Sequence, residues 1–397
     1  MSEVRVNNLS NENSSGGPTI SGITTFSSPY FFVPPKGSTS ERPSFAPDGS
    51  LRFNTDSAKL EYFKGRDIGN WVEIKATNDE LGEADGTTVD SRGLGARAIF
   101  FSGYITGSDF TNVIDYVNIT TCGNAQDFGD ATVKRLHYGS AASRTRGYMF
   151  GGRSPGSPNG LASIDTIVMS STGNSTDYGD LTQGAQFVRA VSNSTRAVAN
   201  LGSIGGTGLQ NVLEYINMDS TGSAVDFGDL TNIHYTGATT QSSIRGFFQG
   251  GQDAPSSPYY SDMISAITTA SLGTYQDWGD LLTQKSNQQA GFGNATRGID
   301  AGGADQPYSG YMNTIQYYSV VTAGNAVNFG DLSTVHENIT GTSDSTRGII
   351  ASGQSGGSSH NVIEFIQIST TGNAREFGDL SVARMGGESC SNAHGGL

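Results

Sequence analysis

One short phrase returns six times along this chain. It reads DFGD at Asp127, DYGD at Asp177, DFGD at Asp226, DWGD at Asp277, NFGD at Asn328 and EFGD at Glu376. Its glycines stand at 129, 179, 228, 279, 330 and 378, so successive gaps are 50, 49, 51, 51 and 48 residues. A second word, Arg followed by Ala or Gly, precedes each phrase at Arg97, Arg146, Arg196, Arg245, Arg297 and Arg347, with gaps of 49, 50, 49, 52 and 50. Two separate markers keep one period, so the repeat is real, and a period of this size restricts the chain to repeat architectures.

Each unit resolves into short strands. After the arginine comes an apolar run ending in small residues, as in GYMFGG and GFFQGG, then a loop of variable length such as RSPGSPNGLAS, QDAPSSPYYSD or ADQPYSGYM. Next comes an alternating segment, among them NVIDYVNI, SIDTIVMS and NVIEFIQI. Period-two alternation marks a strand with one buried face. A TTGNA-like turn leads into the aromatic-Gly-Asp phrase, and a last segment such as NITGTSDS returns to the next arginine. The composition agrees: 55 of 397 residues are glycine, about twice the usual share of ~7%, and only 15% are charged. About four strands per unit without a helical stretch predict an all-β chain whose residues 89–397 form a six-bladed β-propeller. A β-solenoid is the other periodic β fold, and its coil is usually shorter.

Six complete units run from about Arg97 to Asp379, and a partial one, SVARMGGESCSNAHGGL, follows. The segment from Met385 to Ala393 is expected to clasp the blade that starts at Arg97, or else to finish the sixth blade.

A catalytic or metal site occurs once, whereas these words occur once per unit. The aromatics Phe128, Tyr178, Phe227, Trp278, Phe329 and Phe377 are therefore expected to wedge between neighbouring blades. Glycine then permits a turn or close approach, and the aspartate is expected to bind nearby backbone amides. The arginines are expected to pack, or to pair with those aspartates. The five histidines are scattered, and Cys122 and Cys390 lack metal-ligand spacing. A disulfide between them would lock the ring, but free thiols are the expectation. Asp262 and Asp305 stand outside the repeat, and nothing recommends them. No catalytic, cofactor-binding or metal-binding residue is assigned, and no cofactor is expected.

A net charge of −14 repels phosphate backbones, which argues against nucleic acid as a partner. No apolar run approaches the ~20 residues that span a bilayer, so membrane insertion is not expected. Before the ring the texture changes. Residues 1–48 read as an extended, proline-rich N-terminal anchoring arm. Residues 49–88 read as a small β-meander, with strands at LRFN, LEYF and WVEI, followed by a polar linker from Lys75 to Thr88. Such a meander is too small to bury much apolar surface alone and needs a partner chain or the ring to lie against.

The phrases ISGITTF, FFVPPKGSTSERP, GSLRFNTDSAKLEYFKG and WVEI, followed by TRG…GG and FGDL repeats, resemble structural proteins of tailed bacteriophages, especially the marine cyanophage type. The repeat half is also similar to kelch-like propellers, with the double glycine in most units but without the spaced Tyr and Trp. The resemblance implies a virion protein made in the host cytoplasm and displayed on the exterior of the particle. It would be a tail fibre or appendage that attaches by its N-terminal arm to other virion proteins, with a homo-oligomer, a trimer first, as the implied assembly, and presents the propeller for host-surface recognition. The partner there would be a host surface glycan or protein. The alternatives are a capsid or neck decoration protein without receptor binding, and a surface-glycan-degrading enzyme. The main reading is not an enzyme.

Overall fold

The alternating segments form strands, and each is the third strand of an antiparallel sheet. The computed structural model describes residues 34–44, 46–57, 59–64, 70–73, 96–107, 109–157, 159–205, 208–230, 234–253, 260–273, 275–305 and 310–397. The chain divides into two compact units, Met1–Thr77 and Asn78–Leu397. No α-helix occurs among the described residues, only one 3-10 turn at Thr39–Glu41. The expected arm before residue 34 and the expected linker from Lys75 to Thr88 lie outside the described residues.

The first unit holds a four-stranded sheet of β1 (Lys36–Gly37), β2 (Leu51–Asn54), β3 (Lys59–Lys64) and β4 (Asn70–Glu73). The three meander strands stand where the alternation puts them. The end of the supposed arm joins them, because β1 pairs with β2 in parallel, Lys36 opposite Phe53. One face of this sheet is closed and sets a charged cluster beside Phe63 and Trp71: Glu61 is fully buried and takes Arg42 at 2.5 Å and Arg52 at 3.1 Å. Trp71 Nε1 donates to Pro43 O, so the segment before β2 lies across this face. The other face carries Leu51, Tyr62 and Val72 in one cross-strand row beside Phe53 and Leu60. Leu51, Leu60 and Val72 are each more than a third exposed.

Among its described residues the second unit holds six sheets built on one plan, besides a two-stranded ribbon of His234–Tyr235 with Gln252–Asp253. Each has an inner strand, a second strand opening on the repeated arginine, the alternating third strand and an outer strand carrying the aromatic-Gly-Asp phrase. The inner strands of sheets two to six are Gly139–Ala142, Arg189–Ser192, Ala238–Gln241, Ala290–Gly293 and Thr340–Ser343. That of sheet one is Glu388–Ser391, at the far end of the chain, paired antiparallel with Arg97–Tyr104 so that Cys390 faces Ile99. The clasp over the first sheet is therefore present, and the alternative of finishing the sixth is not. Consecutive inner strands are neighbours in space all the way round, the sixth touching the first. Hydroxyl groups bridge most of these neighbours: Ser140 donates to Ser389 O, Ser192 to Ala142 O and Ser343 to Gly293 O.

Six hydrophobic clusters fill the six gaps between adjacent sheets. Phe128 of sheet one packs with Tyr138 and Met149 of sheet two, and Phe377 of sheet six packs with Ala98 and Phe100 of sheet one. All six phrase aromatics are buried, at 6% exposure or less. Burying one such ring stabilises by roughly 1.5–3 kcal/mol, and six interfaces repeat the gain.

The glycine and aspartate of the phrase form a backbone latch. Gly372 N donates to Phe329 O (2.8 Å), Ala374 N to Asp331 O (2.9 Å), and Asp331 N to the Asn373 side chain (3.1 Å). The same set closes the ring, with Gly123 and Ala125 donating to Phe377 O and Asp379 O. A Cβ on Gly330 would stand 2.3 Å from Gly372 O, so the approach requires glycine. This corrects one expectation: the aspartates serve through their main chain, while their side chains are mostly exposed.

Of the two expectations for the arginines, packing holds: the observed partners named here are rings and carbonyls. Arg347 lies 4.6 Å over Phe365 and donates to Ile119 O of the next sheet, and Arg97 lies over Tyr116 and donates to Met169 O. The cation holds an aromatic and caps a neighbouring strand at once.

Candidate functional site

One feature of the repeat has no counterpart in the words just described. The third strands carry a buried polar residue at a fixed slot: Asp115, Asp165, Glu214, Ser265, Gln316 and Glu364. Except at Ser265, whose hydroxyl finds no hydrogen-bond partner among the described residues, its partner comes from the preceding sheet. Ser381 Oγ donates to Asp115 (2.6 Å), Leu282 N to Gln316 (2.7 Å) and Ser333 N to Glu364 (3.0 Å). Buried cations join at three gaps, with Arg384 to Asp115 (2.9 Å), Arg135 to Asp165 (2.8 Å) and Lys285 to Asp300 (2.5 Å). These pairs recur around the ring and register one sheet on the next. Their sequence signal was the single polar residue inside each alternating segment, as in VIDYV and VIEFI. Burial first, then Asp262 and Asp277, hold the Asp280 carboxyl above its usual range. Among the described residues no group of three or more His, Cys, Asp or Glu side chains could hold a metal ion. Cys122 is exposed, Cys390 buried, and both are free.

Unique chemistry gathers at the ring axis. The inner strands enclose a narrow cavity of about 20 Å³, enough for one or two waters. At one end the last residues cross it: His394 Nε2 lies 2.8 Å from Ala142 O, and Gly395 approaches Gln241 O and Gly293 O. At the other end Arg189 of sheet three reaches Glu388 of sheet one, past Gly139 of sheet two, at 3.0 Å. Gln288 Nε2, from the connector into sheet five, donates to the same carboxylate at 2.7 Å. Burial raises the Glu388 carboxyl to about 7, with Arg189 opposing the rise, while burial lowers the Arg189 guanidinium. Arg189 is 5% exposed and Gln288 2%. Among the described residues Arg189 Nη2 and Gln288 Oε1 find no hydrogen-bond partner.

Above this pair lies a rim of six connectors, each leading from an outer strand into the next inner strand. One slot in each has left-handed backbone: His137, Phe187, Thr236, Asn287, Asn338 and Gly386, with φ from 52 to 66°. Contacts join five of the six steps round this rim, from Asn287 on to Tyr235. Asn287 binds Glu337, Gly386 N donates to Asn338 O, and His137 N donates to Gly386 O. The His137 and Phe187 rings stack at 4.6 Å, and Phe187 meets Tyr235 edge-on at 5.7 Å. Three consecutive connectors thus bring aromatic rings, and the next two bring amides. Burial, with Arg189 and Arg153, lowers His137 to about 3, so this ring is neutral near pH 7.

The loops singled out in the sequence belong between second and third strands. Their residues 254–259 and 306–309 lie outside the described residues. Sequence reasoning missed the rim, because its signal is a loss of repetition at a slot that carries no repeated word.

No protein-family model and no curated protein matches the chain. Among solved structures it is similar to that of YjhT, a β-propeller-type fold, with a TM-score of 0.54 and 11% identity. The likeness covers 70% of this chain and 97% of that one, and at this identity it concerns the fold alone.

Proposed function

We propose that the second unit is a six-bladed, kelch-like β-propeller, and that the chain is a structural protein of a tailed-bacteriophage virion, a tail fibre or appendage on the exterior of the particle. One observation carries this reading: a ring that closes on itself accompanies a small sheet whose apolar face is left more than a third exposed at Leu51, Leu60 and Val72 among the described residues. The ring needs no neighbour to bury its strands, whereas Leu51, Leu60 and Val72 need one. That division suits a head that meets the host surface and an N-terminal region that assembles, with other virion proteins and with further copies of itself. The phrases around GSLRFNTDSAKLEYFKG support the phage assignment.

Immunogold labelling of purified particles is expected to place the protein on the exterior, and excess purified ring is expected to slow adsorption to host cells. Absence from purified particles overturns the reading. Labelled particles whose adsorption the ring does not slow point to a capsid or neck decoration protein instead.

A further inference from the structure

We propose that the connector end of the ring axis is a carbohydrate-binding site, with Phe187 and Tyr235 as its stacking platform and Arg189 and Gln288 as its polar anchors. The inference rests on reading the ring as a recognition head, and adds where the ligand sits and what its chemistry is.

The first support is the broken repeat. At a slot with left-handed backbone, asparagine or glycine sits with little strain, and three of the six connectors carry one of them, at Asn287, Asn338 and Gly386. A phenylalanine there is an outlier, and Phe187 stands at φ 56°. Folding alone does not require that ring, since Asn287 and Asn338 turn their connectors without one. Strain held at a bulky residue points to a use for the side chain.

Unmet hydrogen bonding is the second. Arg189 Nη2 is a buried donor without an acceptor, and Gln288 Oε1 is a buried acceptor without a donor. Both sit one or two residues beyond the rim slot, Arg189 lines the axial cavity, and both hydrogen-bond Glu388, so an unmatched donor and an unmatched acceptor lie close together beneath the rim. Buried polar atoms left unmatched are a standing cost that a ligand removes.

The third concerns size and charge. The cavity below admits water and little else, so the ligand lies over the mouth and not along the channel. A sugar ring offers an apolar C–H face to an aromatic and hydroxyls that both donate and accept, which matches this surface on each count. An anionic ligand fits worse, because Glu388 already occupies one side of the Arg189 guanidinium and the chain carries a net charge of −14.

The test uses the full chain and saturation-transfer NMR with glucose, galactose, mannose and N-acetylglucosamine, followed by titration of whichever responds. Phe187→Asn places at this slot the residue that two other connectors use, so the ring should fold, which its melting temperature checks. Tyr235→Ala provides a second probe of the platform. At least one sugar is expected to receive saturation, with affinity reduced tenfold or more in both variants and unchanged in Leu272→Ser, a change on an exposed turn between a third and an outer strand. No response from any of the four sugars, or equal affinity in Phe187→Asn, overturns the proposal. Particle labelling is read separately: a virion-borne protein that ignores sugars sinks this inference and leaves the proposed function standing.

Discussion

The two units solve the same problem in opposite ways. In the ring, each sheet buries apolar residues between itself and the next, and tucks its few charges into cross-sheet pairs such as Arg384 with Asp115. In the N-terminal sheet the covered face holds the charged cluster of Arg42, Arg52 and Glu61, while the apolar row of Leu51, Tyr62 and Val72 is left uncovered. A sheet with one solvent face normally puts its polar residues there. The difference teaches that repetition supplies its own partners: a sheet with identical neighbours can cover both faces, whereas a lone sheet must find its cover elsewhere.

Paired truncations break the comparison most severely. Removing Gly386–Leu397 takes away the inner strand of sheet one, the buried Cys390 and the Glu388 tie to Arg189. Lost ladder bonds and packing should exceed about 5 kcal/mol, a large share of the usual ~5–15 kcal/mol. Aggregation, or a melting temperature lower by about 10 °C or more, is expected by calorimetry. Removing residues 1–77 should leave the melting of the ring unchanged. Equal melting of both truncated chains would mean that the ring does not depend on its clasp.

Matched glycine substitutions sharpen the contrast. In Gly330→Ala the new Cβ falls on Gly372 O, across a sheet gap, and roughly 2–4 kcal/mol should be lost. Gly49, in the turn before β2, has φ +84° and nothing within 4 Å of a Cβ. Gly49→Ala should cost only about 1 kcal/mol, the conformational penalty alone. Chemical denaturation of the two variants measures both; equal costs would deny the ring its tight inter-sheet latch.

The smallest effect is a pH dependence of the ring alone. Glu388 is raised by burial to about 7 from 4.5, so folding favours its protonated form. Its contribution is complete below about pH 4.5 and is lost as pH rises through 7, about 1 kcal/mol between pH 6 and 8. Burial lowers His336 and His394 to about 4 and His137 to about 3, which acts oppositely: their contribution is present above about pH 6.5 and fades as the pH falls below it. Three histidines outweigh one carboxyl, so wild-type stability should rise from acid pH and level off above about pH 7. Glu388→Gln should steepen the rise between pH 6 and 8 by about 1 kcal/mol. A rise over that interval that is the same in Glu388→Gln removes this carboxyl from the account.

Much of the ring was legible before any coordinates. The spacing of the glycine and arginine words located the six sheets, and the partial unit after Asp379 pointed to the clasp. The phrase aromatics were read correctly as wedges, because a residue repeated once per unit at a strand is best explained by packing. The side-chain role expected of Asp331 was misjudged, and of the two roles open to Arg347 packing was the right one. Residue type suggested side-chain ion pairs, while the observed contacts use a main-chain carbonyl and an aromatic ring, which local sequence does not announce.

What the sequence determined by itself is whatever repeats or alternates: the all-β class, the unit length, the strand order within a unit and the three strands of the N-terminal meander. Each follows from backbone preference and from one face seeking burial, and both are local. Tertiary structure alone decided which residues meet across the gaps and over the axis. Arg384 meets Asp115, Glu388 meets Arg189, and Phe187 lies between His137 and Tyr235, although 48 to 269 positions separate each of these pairs in the chain. Periodicity predicts that such neighbours exist but not what they do together, because a closed ring brings to its axis the positions at which the units differ.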